Sequence, residues 1–196
     1  MLEGIIEHAL DPTTGLLDAA EILAVPFIDK DGVEDGDQGK NRRPHDHNRD
    51  YTDSPLYASV RALMKELDAW ADERLVIALD LHCPWIRGGR NDGIFLVEPP
   101  QSHLAEFKRF TAILAQMPFG DLRYDGKDDI ACGVEWNVGN DPTAGRYFRE
   151  HTPARVVGSL EFSYGLASGR LVTADGARAF GRCLAEAMRK WIVTSG

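Results

Sequence analysis

Residues 75–81 read LVIALDL and are followed directly by His82. A run this rich in Leu, Val and Ile predicts a strand buried on both faces, as in the parallel sheets of α/β proteins. Residues 155–164 (RVVGSLEFSY) form a second run of this kind, and residues 21–28 (EILAVPFI) form a third. Residues 93–97 predict a short further strand. Since each run is bounded by polar or glycine-containing segments, we expect separate strands.

Amphipathic helices are predicted between these strands, because apolar residues recur there at helical spacing. One begins at Ser54-Pro55, a pair typical of an N-cap followed by proline in the first turn. Two long segments without such a period, residues 29–51 and 120–153, are interpreted as irregular. The predicted helices span residues 2–10, 54–70, 104–117 and 177–193.

Alternating strands and helices predict an α/β fold, with a mixed, mostly parallel sheet flanked by helices on both faces. We expect one domain over residues 1–196. The 22 Lys and Arg against 31 Asp and Glu give a net charge of −9, which argues against nucleic acid as a partner. No apolar stretch approaches the about 20 residues that span a membrane, and no signal peptide is visible, so a cytoplasmic location is predicted. The odd cysteine count, three, disfavours a secreted disulfide framework.

Polar residues follow or interrupt the predicted strands, where α/β sheets bind their ligands. Asp46-His47-Asn48-Arg49 follows the first strand, Asp80-Leu81-His82 ends the second, and Glu161 lies within the last. Each also has an ordinary structural explanation. A histidine at a strand end is often a hydrogen-bonded structural residue, Asn-Arg can be a solvated turn, and Glu161 can face solvent on an edge strand.

In this order, these residues resemble the zinc metallocarboxypeptidases, and most of all their cytosolic branch. The resemblance is densest over residues 25–51, where a turn, Asp29-Lys30-Asp31-Gly32-Val33, precedes Asp46-His47-Asn48-Arg49-Asp50-Tyr51. Asp80-Leu81-His82 and Glu161 follow in the order of the family. The resemblance implies a carboxypeptidase-like three-layer sandwich.

The resemblance also implies a role for each residue. His82 matches a zinc ligand, and Asn48 and Arg49 match the pair that binds the terminal carboxylate of the substrate, for which a guanidinium fork is suited. Glu161 matches the general base that acts on zinc-activated water. The implied function is zinc-dependent hydrolysis of a peptide or amide bond next to a free carboxylate, in a peptide or an acylated amino acid.

Three departures from the family pattern bear on this interpretation. At the position of the oxyanion-stabilising arginine the chain has Gly39, with Lys40 and Arg42 as nearby candidates. The mobile tyrosine of the family has two loose counterparts in this sequence, Tyr147 and Tyr124. The H-x-x-E zinc pair is absent before the Asp-Gly turn, and the H-x-x-E at residues 103–106 is interpreted as a surface coincidence.

The missing H-x-x-E pair leaves two interpretations. Either the chain is the C-terminal portion of a catalytic domain, with two zinc ligands upstream of Met1, or it is a degenerate relative. The intact match at Asn48, Arg49 and Glu161 favours the first, so we expect an N-terminally incomplete fold.

Other functions remain open. A module that binds C-terminal carboxylates through Asn48 and Arg49 without cleaving them needs no metal. An N-acyl amino acid deacylase would share the zinc and Asn-Arg chemistry. The acidic segment 29–40 does not fit the EF-hand pattern, because its fifth position is Val33 and its twelfth is Lys40. A nucleophilic Cys83 is disfavoured, since adjacency to His82 in sequence does not make a Cys-His pair.

Overall fold

The computed structural model of the protein describes residues 1–86, 89–118, 120–139 and 141–195. Its helices are α1 (Leu2–Leu10), α2 (Leu16–Ala19), α3 (Lys30–Asp35), α4 (Ala58–Trp70), α5 (Gln101–Ala115), α6 (Ala144–His151) and α7 (Ala174–Ser195). Its strands are β1 (Ile77–His82), β2 (Ile94–Val97), β3 (Val156–Phe162), β4 (Leu166–Ala167) and β5 (Arg170–Leu171). Short 3₁₀ turns occupy Gly39–Asn41 and His47–Arg49. None of the helices in these ranges is long and apolar enough to cross a membrane.

The main sheet has the strand order β1-β3-β2. β1 and β3 run parallel, with His82 opposite Glu161, whereas β2 runs antiparallel to β3, with Phe95 opposite Glu161. The sheet is therefore mixed, as predicted, but the expectation that it is mostly parallel is only partly met. β4 and β5 form a separate two-stranded hairpin.

Helices cover both faces of this sheet, as predicted. Because side chains alternate along a strand, β3 presents Val156 and Leu160 to one face and Val157 to the other. The first face packs against α5 and α7, and α1 lies against α7. The second face packs against α4 and α6. The result is three layers with an apolar cluster on each side of the sheet.

Two glycines allow α1 and α7 to approach backbone to backbone. A Cβ at Gly4 would overlap the carbonyl group of Arg178, and one at Gly181 would overlap the carbonyl oxygen of Met1. Glycine is used where a backbone must approach this closely. The N-terminal helix is thus fixed against the longest helix of the described chain.

The prediction of a strand over residues 21–28 is wrong, since the structure has no regular element there. Val25 is 43% exposed and Phe27 is 57% exposed. An apolar run becomes a strand only where a neighbouring backbone pairs with it. No strand pairs with this segment within the described part of the chain.

The helix start predicted at Ser54 is also wrong, because α4 begins at Ala58 with Tyr57 as its N-cap. The Asp50 carboxylate accepts hydrogen bonds from the backbone N–H groups of Leu56 and Tyr57, which holds a turn before the helix. The remaining predicted helices and strands are confirmed to within a few residues. The two segments predicted to be irregular each contain a short helix, α3 within residues 29–51 and α6 within residues 120–153. Residue 140 of the second segment lies outside the described residues.

Candidate active site

The polar residues at the carboxyl ends of β1 and β3 lie on one face of the sheet. Asp80 and His82 are two residues apart on β1, and Ser159 and Glu161 are two apart on β3. Side chains at this spacing point to the same side of a strand. The pairing of Asp80 with Ser159 and of His82 with Glu161 brings all four together.

Asp80 holds the ring of His82. The two carboxylate oxygens of Asp80 lie 3.1 and 3.2 Å from Nδ1 of His82. Burial alone would raise the pKa of Asp80, but the charge of His82, with hydrogen bonds from His82, Ser159 and Asn48, brings it below its usual value. In turn, the Asp80 charge raises the pKa of His82 to about 9 despite burial. This contact occupies Nδ1 and leaves Nε2 as the ring nitrogen that can meet a ligand.

Glu161 is a buried carboxylate with an unsatisfied oxygen. The residue is 7% exposed, and its Oε2 has no hydrogen-bond partner among the described residues. Burial raises the pKa of Glu161, while positive charges nearby, those of Lys40 and Arg49 among them, act in the opposite direction. A buried polar atom without a protein partner is costly, and a catalytic role or a bound water or ion are among the explanations for one.

Asn48 links three parts of the chain through its side chain. Its Oδ1 accepts a hydrogen bond of 2.8 Å from the backbone N–H of Ala144, at the start of α6. Its Nδ2 donates to Asp80 at 3.3 Å. The Asp46 side chain caps the 3₁₀ turn by accepting from the Asn48 N–H at 2.9 Å. One amide hydrogen of Asn48 therefore remains for a ligand.

Arg49 lies next to Asn48 and is about one-third exposed. Its Nη1 donates to the backbone carbonyl of Asn48 at 3.0 Å, and its Nε lies 2.9 Å from a carboxylate oxygen of Asp141. The guanidinium keeps further N–H groups that none of these contacts uses. These N–H groups can therefore bind the carboxylate of a ligand from the solvent.

Lys40 and Arg42, the two cations considered for oxyanion stabilisation, differ in their contacts. Arg42 contacts Asp29 at 2.8 Å and Asp37 at 2.9 Å, so its charge is already paired. The Lys40 ammonium lies 5.1 Å from the centre of the Trp85 ring. Its charge also lowers the pKa of Glu161. Of these two cations, Lys40 is the one whose charge reaches Glu161.

Tyr147 lies on α6, within the apolar cluster that α4 and α6 form on the second face of the sheet. It is 7% exposed, its hydroxyl donates to Asp68 at 3.3 Å, and its ring stacks on His151. The H-x-x-E residues His103 and Glu106 lie on α5, in a cleft with Arg155 next to the amino end of β3. That position is at the opposite end of β3 from Glu161.

Comparison with solved structures identifies the fold. The chain is similar to a metallo-carboxypeptidase from Burkholderia cenocepacia, with a TM-score of 0.72 and 14% sequence identity over 99% of this chain and 53% of that one. It is also similar to a metallo-carboxypeptidase from Pseudomonas aeruginosa in complex with (2-guanidinoethylmercapto)succinic acid, with a TM-score of 0.67 and 16% identity over 96% of this chain and 51% of that one. The chain has the fold of about half of a metallo-carboxypeptidase. The sequence itself matches no family model and no curated protein.

The donor atoms of the described residues match a catalytic zinc site only in part. His82 fits a single ligand, because a carboxylate on Nδ1 is the usual support for a metal-bound imidazole. A catalytic zinc ion takes three protein ligands. The described residues contain no group of three or more His, Cys, Asp or Glu side chains that could hold a metal ion. They do not by themselves form a complete zinc site.

Sequence reasoning did not single out several residues of this site as functional. Ser159 and Asp141 carried no motif, and Asp80 was noted only as part of Asp80-Leu81-His82. The alternation of side chains would have placed Asp80 and Ser159 beside His82 and Glu161 once β1 and β3 were paired. Asp141 had no such signal, because it lies in an irregular segment far along the chain from Arg49.

Asp50 supports the segment that carries Asn48 and Arg49, and its replacement by Asn is expected to lower the free energy of unfolding by about 1–3 kcal/mol. Its carboxylate is 2% exposed and accepts from two backbone N–H groups and from His45, so an amide NH₂ would oppose a donor. Burial raises the pKa of Asp50, but these hydrogen bonds outweigh it and hold the pKa below its ordinary 3.8.

A carboxyl group with a lowered pKa stabilises the fold above its unfolded pKa and loses that contribution as the pH falls through the folded value. The native protein should therefore lose more stability than Asp50→Asn between about pH 5 and pH 3. Urea titrations of both proteins across this range measure the difference. A gap that stays constant with pH would show that the Asp50 charge contributes nothing.

Proposed function

We propose that this protein binds substrates with a free carboxylate at Asn48 and Arg49 and promotes hydrolysis of the adjoining peptide or amide bond. The observation that carries the proposal is the convergence of Arg49, His82 and Glu161 at one edge of a carboxypeptidase-like sheet. The Pseudomonas aeruginosa structure holds a succinic acid derivative, which agrees with a ligand that carries carboxylates.

Arg49 would bind the substrate carboxylate through the N–H groups that face away from Asn48. A guanidinium and a carboxylate form charge-assisted hydrogen bonds about twice as strong as neutral ones. Asn48 would add the amide hydrogen that its contact with Asp80 leaves unused. This binding places the bond next to the carboxylate at the end of β1 and β3.

Glu161 would act as the general base. Its unpartnered Oε2 can accept a proton from the attacking water and then give it to the leaving amine. The raised pKa that burial causes brings this carboxyl closer to the pH at which such a transfer is efficient. Lys40, whose charge reaches Glu161, would stabilise negative charge that develops on the substrate oxygen.

Zinc supplies Lewis-acid activation of water in the metallo-carboxypeptidase chemistry that the resemblance implies. The described residues, among which His82 fits a ligand, contain no group of three or more side chains that could hold the metal ion. The same incomplete donor set favours a second candidate, a protein that binds free carboxylates without cleaving the substrate.

Matched ligands test the proposal. We expect N-acylated dipeptides with a free C-terminal carboxylate to bind at least about tenfold more tightly than the same dipeptides with a terminal amide, because the amide cannot form the charged contact. Isothermal titration calorimetry measures the ratio. Chromatography of the same mixtures, with and without added Zn²⁺, then shows whether the terminal amino acid is released.

The outcomes separate the candidate functions. Release of the terminal residue supports a carboxypeptidase. N-acyl amino acids are assayed in parallel, and their cleavage in preference to the dipeptides supports a deacylase. Selective binding without cleavage supports the carboxylate-binding module. Equal affinity for the acid and the amide overturns the proposal.

A further inference from the structure

Arg49 already faces a carboxylate of the protein itself. Oδ2 of Asp141 lies 2.9 Å from Nε of Arg49. Asp141 comes 92 residues after Arg49 (141 − 49), with α4, β1, β2 and α5 between them, so the two meet through the tertiary fold. The guanidinium proposed to bind the substrate thus contacts an acidic side chain of the same protein.

Backbone hydrogen bonds of Asp141 and of the residues that follow it fix its position. The N–H of Tyr51 donates to the carbonyl of Pro142 at 3.2 Å, and the N–H of Thr143 donates to the carbonyl of Asp141 at 2.8 Å. The N–H of Ala144 donates to the side chain of Asn48. The segment before α6 is therefore joined to the segment that carries Arg49, which places the Asp141 carboxylate beside it.

The ion pair itself is open to solvent and easily exchanged. The Asp141 side chain is 66% exposed and that of Arg49 is 35% exposed. Ion pairs this accessible contribute little to stability, because water and salt screen them. A ligand carboxylate can therefore replace Asp141 without disturbing the fold, while the backbone contacts keep Asp141 nearby.

We propose that Asp141 is an internal competitor: it holds Nε of Arg49, on the side of the guanidinium that would bind the substrate carboxylate. This inference rests on the proposed function and adds a specificity-determining residue to the same site. An incoming carboxylate displaces the Asp141 side chain from Arg49 and is repelled by its charge. Ligands bind only when their own contacts exceed this competition, so small anions are disfavoured and substrates with further contacts are selected.

Asp141→Asn tests the competition with N-benzoylglycine as the probe and N-benzoylglycinamide as its uncharged counterpart. The variant should bind N-benzoylglycine about three- to tenfold more tightly than the native protein at low ionic strength, because one nearby negative charge is removed. The gain should shrink in high salt, and affinity for the amide should not change. Calorimetry gives all four affinities.

Control variants separate a local effect from a general one. Asp53→Asn removes the same charge from an exposed residue a few positions from Arg49 and should leave the affinity unchanged. Asp141→Glu keeps the charge and should bind N-benzoylglycine no more tightly than the native protein. Thermal unfolding of each variant confirms that the fold is intact.

The possible failures are distinguishable. If Arg49→Ala abolishes binding of N-benzoylglycine but Asp141→Asn binds it no more tightly, the competition is overturned and the proposed function stands. Weaker binding by Asp141→Asn would instead make Asp141 a residue that positions Arg49, and would also overturn the competition. If the native protein and both variants bind the acid and the amide equally, the proposed function and the inference both fail.

Discussion

Glu161→Gln is expected to lower the rate of substrate hydrolysis by about two to four orders of magnitude, the usual contribution of a general base. The amide of Gln has nearly the size of the carboxylate but cannot accept a proton at neutral pH. Substrate affinity should be retained, because Glu161 does not take part in binding the terminal carboxylate. The effect should therefore appear in kcat and not in KM. Initial rates for an N-acylated dipeptide measure both quantities.

A second readout for Glu161→Gln does not depend on activity. Since burial raises the pKa of Glu161, its charged form is less stable in the folded protein than in the unfolded chain. The neutral variant should therefore unfold at a higher urea concentration than the native protein at neutral pH. Glu73→Gln, at an exposed residue before β1, is the matched control and should change neither rate nor stability. An undiminished kcat in Glu161→Gln would exclude the general-base role.

Arg49→Ala is expected to weaken binding of substrates with a free C-terminal carboxylate by about a hundredfold, the loss that follows when a charge-assisted contact is removed. Affinity for the C-terminally amidated counterparts should be unchanged, because they form no charged contact. Arg49→Lys should fall between the two, since it keeps the charge but loses the planar fork. Calorimetric titration of each pair of ligands gives the affinities.

Arg74→Ala is the control for the loss of positive charge. Arg74 is exposed, pairs with Asp72 and precedes the amino end of β1, far from the carboxyl end where Arg49 lies. It should not affect affinity for either ligand. An equal loss for acid and amide in Arg49→Ala would show that Arg49 does not recognise the carboxylate.

The apolar runs and their order predicted much of the fold. Residues 75–81 and 155–164 became β1 and β3 within a few residues, because a run with apolar side chains on both faces is stable only between two layers of helices. Residues 21–28 have the same pattern and are irregular. Their pattern was sufficient for burial in a sheet, but a strand also requires a hydrogen-bonded neighbour, and local sequence carries no information about that neighbour.

The candidate site likewise depends partly on local sequence and partly on tertiary contacts. The sequence by itself placed His82 and Glu161 in apolar runs that became strands, and its resemblance to the metallocarboxypeptidases singled out Asn48 and Arg49 with them. Only the tertiary structure decided which residues meet: the register of β1 with β3 sets His82 beside Glu161 and leaves an oxygen of Glu161 unpartnered. It also brought Asp141 to Arg49, and it directed the hydroxyl of Tyr147 to Asp68. Motifs report local chemistry, whereas distance, burial and charge at a site depend on contacts between segments far apart in the chain.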